Sequence, residues 1–452
     1  MSVDNPVCPL DFRYGRKEMK DIFGETSKLQ RLLDVEAALA RAHAHVGNIP
    51  DSVAEEISKK ATTQIVTAKR VKEIEAEIRH DLMSVTKALA EQCSKESAKY
   101  IHLGATSYDI IDTCNALQFQ QATNLIKSEL KALRKTLIGL ADKHRNSLMN
   151  GRTHGQYAAP ITFGLKMAVF ALEVDRHLER LHEASSRIQV GKMCGAVGTG
   201  AAMGEKTLEI QSFVMSELKL GFEDGATQIV GRDRYIELIS LLGNIATSME
   251  KFATEIRTLQ RSEIGEVEES FESKKQVGSS TMPHKRNPIV CEQISGLARV
   301  ARSQITVAFE NAIQWNERDL ANSSSERFML PHTFILTDWV VFQTNKVFSN
   351  LKVNTERMKR NLDNTRGLQM AESLMTALVK EGMGRGDAHE LARSAAMKAV
   401  EQDSDFLSVL KDDETVRSTL SEEQLISILN PANYLGVTDK IINRAIEKID
   451  NS

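Results

Sequence analysis

Apolar residues recur along much of this chain in alternating steps of three and four. Tyr235, Leu238, Leu242, Ile245, Met249, Phe252, Ile256 and Leu259 form one unbroken series, the seam of a helix packed in a bundle or coiled coil. Ile126, Leu130, Leu133, Leu137 and Leu140 form a second series, and Met167, Phe170, Val174, Leu178 and Leu181 a third. Proline usage agrees with this reading. Only eight prolines occur, and the stretches 51–159, 161–282 and 332–430 contain none, so long helices meet no breaker there. The pattern predicts an all-α protein, and Met and Phe at helical spacing are read as core, with no cofactor implied. Shorter helical pieces give way to the long stripes near residue 112 and return after about residue 360, as in GMGRGDAHE. We therefore expect an N-terminal helical domain at 1–111, a central long-helix bundle at 112–361 and a C-terminal helical domain at 362–452. Narrow seams bury against one another within one chain or against the same bundle of another subunit; both arrangements fit the pattern.

Charge and cysteine usage narrow the function classes. The 58 basic and 61 acidic residues leave a net charge of -3, which gives no general pull toward nucleic acid or an anionic membrane. An anionic ligand must be held by local clusters. Five cysteines, Cys8, Cys93, Cys114, Cys194 and Cys291, are widely and irregularly spaced without a CxxC pair. That fits reduced thiols better than a disulfide frame or a zinc site. No targeting composition and no apolar run of membrane-spanning length is present, so a cytoplasmic location is expected.

The densest polar segment is QVGSSTMPHKRNPIVCE, residues 276–292, read as a loop whose amides, with Lys285, Arg286 and Asn287, could surround an anion. Composition alone favours an ordinary solvated basic turn over an anion site. A second cluster, HLGATSYDIIDT at 102–113, puts Thr106 and Ser107 just before a long helix. They can cap it, bind an anion at its N-terminus, or both. GRTHGQ at 151–156 precedes the third stripe.

GSSTMPHKRNP resembles the signature GSSxMPxKxNP of the fumarase/aspartase superfamily, and GRTHGQ resembles its second signature. The resemblance implies that Ser279 removes a Cβ proton, that Ser280 contacts substrate, and that Lys285 and Asn287 stabilise the negative charge. It makes His154 the general acid on the departing nitrogen and Glu292 the residue that orients that histidine. A serine acts as a base only when cations and amides stabilise its alkoxide, and a near-neutral imidazole suits a group that must give and regain a proton. The family's GxTSxDxxDT motif places Thr106 and Ser107 on a substrate carboxylate.

Within the superfamily, four further segments resemble adenylosuccinate lyases. RYGRKEM at 13–19 gives Arg13 and Tyr14 as nucleotide contacts. EIRHDLMSVTKALAE at 77–91 gives Arg79, His80 and Asp81, with His80 as a second active-site histidine. TQIVGRDRY at 227–235 gives Gln228, and ENAIQWNERDLANSSSERFMLP at 310–331 gives Ser324 and Arg327. Arg286 is counted among the substrate contacts. Tyr157, Asn316 and Asn322 stand where the family usually has histidine, and Gln293 where an asparagine is common. The resemblance implies a three-domain fumarase/aspartase-like fold and cleavage of fumarate from adenylosuccinate and from SAICAR, without metal or organic cofactor. It also implies a homotetramer whose active sites are shared between subunits. An argininosuccinate lyase, a carboxymuconate cycloisomerase or an inactive scaffold of the same fold are the alternatives. GAVGTGAAMG at 195–204 lacks the context of a dinucleotide loop and is read as a turn.

Overall fold

Each apolar stripe falls on one long helix in the computed structural model, which describes residues 6–270, 282 and 284–451. In chain order the principal elements are α1 (Glu25–His45), α2 (Asp81–Ala90), α3 (Ser107–Lys143), β1 (Leu148–Thr153), β2 (Gln156–Thr162), α4 (Phe163–Ile188), α5 (Asp233–Leu259), α6 (Ile289–Asn311) and α7 (Ala321–Ser349). The whole α5 series from Tyr235 to Leu259 is buried, as are Ile126, Leu130, Leu133 and Leu137 of α3. Leu140 and Leu178, at or near the ends of their stripes, are half-buried. Full burial of a Leu or Phe side chain contributes about 1.5–3 kcal/mol, so these seams are a main source of the helices' stability.

The chain forms two compact units: Met1–Leu130 with His177–Met249 and Gly296–Phe342, and Lys131–Arg176 with Glu250–Ser295 and Gln343–Ser452. Each of α3 to α7 contributes residues to both. The first unit has a core of α1 residues such as Leu33, Leu39 and Ala42 with Ile57, Leu82, Leu89, Ile110 and Val214. The second contains a cluster of Leu374, Leu378, Phe406, Leu410 and Val416 from the short C-terminal helices. The division at 111 and 361 describes the order of the chain and stands as a proposal.

Strands are few among the described residues. The antiparallel β1–β2 hairpin pairs Leu148 with Thr162 and Thr153 with Gln156; two pairings of two residues each complete the set. The helical periodicity gave no sign of the hairpin, because a two-residue turn depends on local φ values and not on an apolar stripe. His154 (φ 54) and Gly155 (φ 74) occupy that turn, which needs positive φ at both central positions. Gly151 is required by a close approach: a Cβ there would lie 2.5 Å from the Ala159 carbonyl oxygen. The segment 276–292 is also not loop throughout, since α6 begins at Ile289 and Glu292 lies in its first turn. The Glu269 carboxylate accepts from the amides of Val290 and Cys291 at 3.0 and 3.1 Å, satisfying donors that a helix start leaves open.

Buried charges tie the first unit together. Asp112 on α3 accepts two bonds from Arg232, at 2.9 and 3.0 Å. Arg232 also donates to Glu326 of α7 at 2.7 and 3.1 Å. Burial works against the Arg232 charge, but the charges of Asp112 and Glu326 outweigh it and raise its pKa above the ordinary value. Removing one member of such a set strands the others without water. Arg232→Met should lower unfolding stability by about 3–5 kcal/mol, measured from the urea midpoint; an unchanged midpoint would show that these charges are hydrated.

Candidate active site

In the first unit, Arg13 follows the short helix Pro9–Phe12 and donates to the Tyr14 hydroxyl at 3.2 Å. The segment is held by Arg16, which bonds Glu129 at 2.6 Å and Asp338 at 2.8 Å. Gly15 has φ 90, and a Cβ there would lie 2.4 Å from Ile335. Glycine suits both features.

Arg79 ends the helix Ala68–Ile78 in the left-handed conformation, φ 56. His80 then caps α2, its Nδ1 accepting from the Met83 amide at 3.3 Å. That bond requires Nδ1 to be unprotonated, so the ring's other nitrogen is the one placed to carry a proton. Asp81 accepts from Arg327 at 2.6 Å. Both line a cleft with Tyr108, Ser323, Glu326 and Lys72; the other candidates in this unit do not line it. Ser324 is exposed, whereas its neighbour Ser323, which the sequence did not single out, faces the cleft.

Thr106 and Ser107 stand where α3 begins. The preceding residues are fixed by His102, which has φ 62 and places Nδ1 2.7 Å from Glu36, whose carboxylate is fully buried. His43 bonds the Leu103 carbonyl oxygen at 2.9 Å. Gln228 donates to the Ala196 carbonyl at 3.0 Å and accepts from Arg318 at 2.9 Å. Arg318 in turn lies over the Tyr108 ring, 3.6 Å from its centroid, a cation–π contact. Sequence reasoning missed Arg318; its position in NERDL, between the better-known motif residues, was the available signal. GAVGTGAAMG is a turn, with positive φ at Gly195, Gly198, Gly200 and Gly204.

In the second unit, His154 is exposed at the tip of the hairpin. The hairpin is anchored by Arg152, which bonds both oxygens of Glu266 at 2.7 and 2.9 Å. Glu266 is fully buried and also accepts from Asn361 at 2.8 Å. The Arg152 guanidinium lies 5.4 Å from the centroid of Tyr157, so this departure from the family pattern takes a stacking role. Lys285, Arg286 and Asn287 line one cleft with Arg257, Arg261 and Lys352. Such a cationic lining suits a multiply charged anion. Arg286 is paired with Glu268 at 2.6 Å. Glu292 is exposed and does not line that cleft. Ser279 and Ser280 lie outside the described residues. Among the other departures, Asn322 is buried and donates to Glu326 at 3.0 Å, and Asn316 has φ 53, a conformation asparagine tolerates. Gln293 is half-buried on α6.

Two predictions follow from these supports. Burial alone would lower the His102 pKa, but the charge and hydrogen bond of Glu36 outweigh it and raise the value, with a smaller contribution from Asp109. The pair's stabilisation is then complete below about pH 6.5 and is lost as pH rises through the raised folded value. The melting-temperature gap between the parent and His102→Gln should be wider at pH 6 than at pH 9; a pH-independent gap contradicts this. Glu266→Gln weakens two charge-assisted bonds of the hairpin and should cost about 2–4 kcal/mol in unfolding stability, with faster hydrogen exchange at β1 and β2. Unchanged exchange there would rule out the anchor.

The family described as Lyase matches residues 12–302, and that described as Adenylosuccinate lyase C-terminus matches 367–445. The chain is 50% identical to the adenylosuccinate lyase of Pyrococcus horikoshii over 444 residues, 98% of each chain. It is 46% identical to that of Methanocaldococcus jannaschii over 445 residues, covering 98% of this chain and 96% of the relative. Among solved structures, a fumarate lyase from Mesorhizobium sp. BNC1 superposes with a TM-score of 0.89 at 32% identity, over 98% of this chain and 100% of that one. A 3-carboxy-cis,cis-muconate lactonizing enzyme from Pseudomonas putida gives 0.89 at 33%, over 98% and 99%.

Proposed function

Because the chain belongs to the adenylosuccinate lyase family, we propose that it cleaves adenylosuccinate to AMP and fumarate, and SAICAR to AICAR and fumarate. The observation that carries this is the 50% identity to an adenylosuccinate lyase across 98% of both chains. The muconate lactonizing enzyme is similar at a lower 33%.

The reaction is a β-elimination in which Ser279 takes the Cβ proton of the succinyl group. The resulting negative charge spreads into the adjacent carboxylate, where donors lower the barrier more than they tighten ground-state binding. Lys285 and Asn287 supply those donors, Ser280 contacts the substrate, and Thr106 and Ser107 hold a carboxylate at the start of α3. The C–N bond then breaks, the C=C bond of fumarate forms, and His154 protonates the departing nitrogen with Glu292 orienting it. His80 serves as the second active-site histidine. Arg13 and Tyr14 contact the nucleotide, Ser324 and Arg327 its phosphate or ribose, and Arg79, Asp81, Gln228 and Arg286 are further substrate contacts. Arg327 suits a phosphate through its planar fork, and its present bond to Asp81 would have to yield or be shared.

The working enzyme is a cytoplasmic homotetramer in this reading, with each active site shared between subunits. Two features support assembly. Ile313, Trp315, Leu320 and Phe328 are 72%, 76%, 69% and 65% exposed, large apolar side chains of the kind that a subunit contact covers. His154 stands exposed on a well-anchored hairpin, as a group does when other chains complete its surroundings. No helix among the described residues is long and apolar enough to cross a membrane.

Incubating the purified protein with adenylosuccinate should yield equimolar AMP and fumarate by chromatography. Ser279→Ala and His154→Ala should each lower kcat by at least about 100-fold while the sedimentation profile stays that of the parent. Turnover of muconate substrates in place of adenylosuccinate would transfer the chain to the cycloisomerase reading, and full activity in Ser279→Ala would remove the assigned base.

A further inference from the structure

Asp109 and Lys192 form an ion pair in which both side chains are fully buried. Neither has a part in the elimination as described. Asp109 sits in the first turn of α3, three residues beyond Thr106, and its Oδ2 accepts from the Thr106 amide at 2.8 Å. The Asp109 amide donates to the Thr106 carbonyl oxygen at 3.0 Å. The same carboxylate accepts from the amides of Cys194 and Gly195, each at 3.0 Å. It therefore clamps the residue that starts α3 to the glycine turn that follows Lys192. The Thr113 hydroxyl, one turn further along α3, accepts from the Lys192 amide at 3.2 Å.

This arrangement contains an electrostatic conflict and its resolution. A helix start attracts anions because its first amides have no intrahelical acceptor and its dipole is positive there. Asp109 places a fixed negative charge at that position, where a substrate carboxylate held by Thr106 and Ser107 would meet it at close range. In a poorly solvated site such repulsion is weakly screened. The Lys192 ammonium contacts the Asp109 carboxylate directly and cancels its charge without occupying the Thr106 and Ser107 hydroxyls.

We propose that Lys192 is a positioning residue for the succinyl carboxylate, neutralising Asp109 so that the carboxylate clamp at the start of α3 still receives an anion. The inference rests on the reading that Thr106 and Ser107 bind a substrate carboxylate. Its consequence is selective: the dicarboxylate half of the substrate senses the Asp109–Lys192 charge, and the nucleotide half does not.

The test is a set of charge variants of the full-length enzyme, with inhibition constants for fumarate, succinate and AMP measured at pH 8. Lys192→Met removes the cation and leaves the Asp109 carboxylate with the amides of Thr106, Cys194 and Gly195. It should weaken fumarate and succinate at least tenfold and raise the KM for adenylosuccinate, with AMP inhibition within twofold of the parent. Asp109→Asn has the opposite local charge and should bind the dicarboxylates at least as well as the parent. The double variant Asp109→Asn/Lys192→Met is neutral again and should recover most of the loss. If Lys192→Met does not fold, the comparison of Asp109→Asn with the double variant carries the same sign. Parallel losses for AMP and dicarboxylates, or a double variant no better than Lys192→Met, would overturn the proposal. Thr106→Val and Ser107→Ala separate the two ideas. If they leave fumarate inhibition unchanged, the carboxylate site itself is misplaced; if they weaken it and the charge variants do not, only the role of Lys192 fails.

Discussion

Asp109 and Asp112 lie one helical turn apart near the start of α3, and both are removed from water. A helix can carry two buried carboxylates only if each meets a cation, because an unpaired one would cost several kcal/mol. Lys192 answers Asp109, and Arg232 answers Asp112 while also holding Glu326. The cations come from the segment after α4 and from the start of α5, and Glu326 comes from α7. Four parts of the chain are thus fixed by charge where the apolar seams alone would permit sliding. Hydrophobic burial supplies most of the driving force, but it is non-directional, and a seam of Leu, Ile and Phe tolerates shifts that a bidentate arginine does not.

Candidate active-site residues are consistently placed at the ends of rigid elements. His154 occupies a two-residue turn, His80 caps α2, Arg79 ends the preceding helix, and Thr106 and Ser107 begin α3. Helix ends and turns have backbone donors and acceptors that the repeating structure does not use, and their side chains reach beyond the packed body. Three buried carboxylates support these places: Glu36 bonds His102, Asp109 accepts from the Thr106 amide, and Glu266 holds Arg152 of the hairpin. A site that must distinguish a transition state from a ground state needs this stiffness, since a displacement of about an ångström removes much of the advantage of orientation.

The departures from the family pattern follow the same division. Tyr157 stacks with Arg152 and Asn322 bonds Glu326, so both are explained by the support structure they join.

The sequence by itself determined the all-α class, the long helices and the reaction family. Apolar periodicity is a local property of a helix, and a signature such as GSSTMPHKRNP is kept as contiguous text. It also named Asp81 and Arg327, though not that they meet. Tertiary structure alone decided the pairing of Asp109 with Lys192 across 83 positions, the Arg232 network and the stacking of Arg318 on Tyr108. Those depend on which side chains long-range packing brings together in a poorly solvated interior, and neither spacing nor composition carries that information. Lys192 belongs to no motif singled out in the sequence; only its burial against a carboxylate gives it a role.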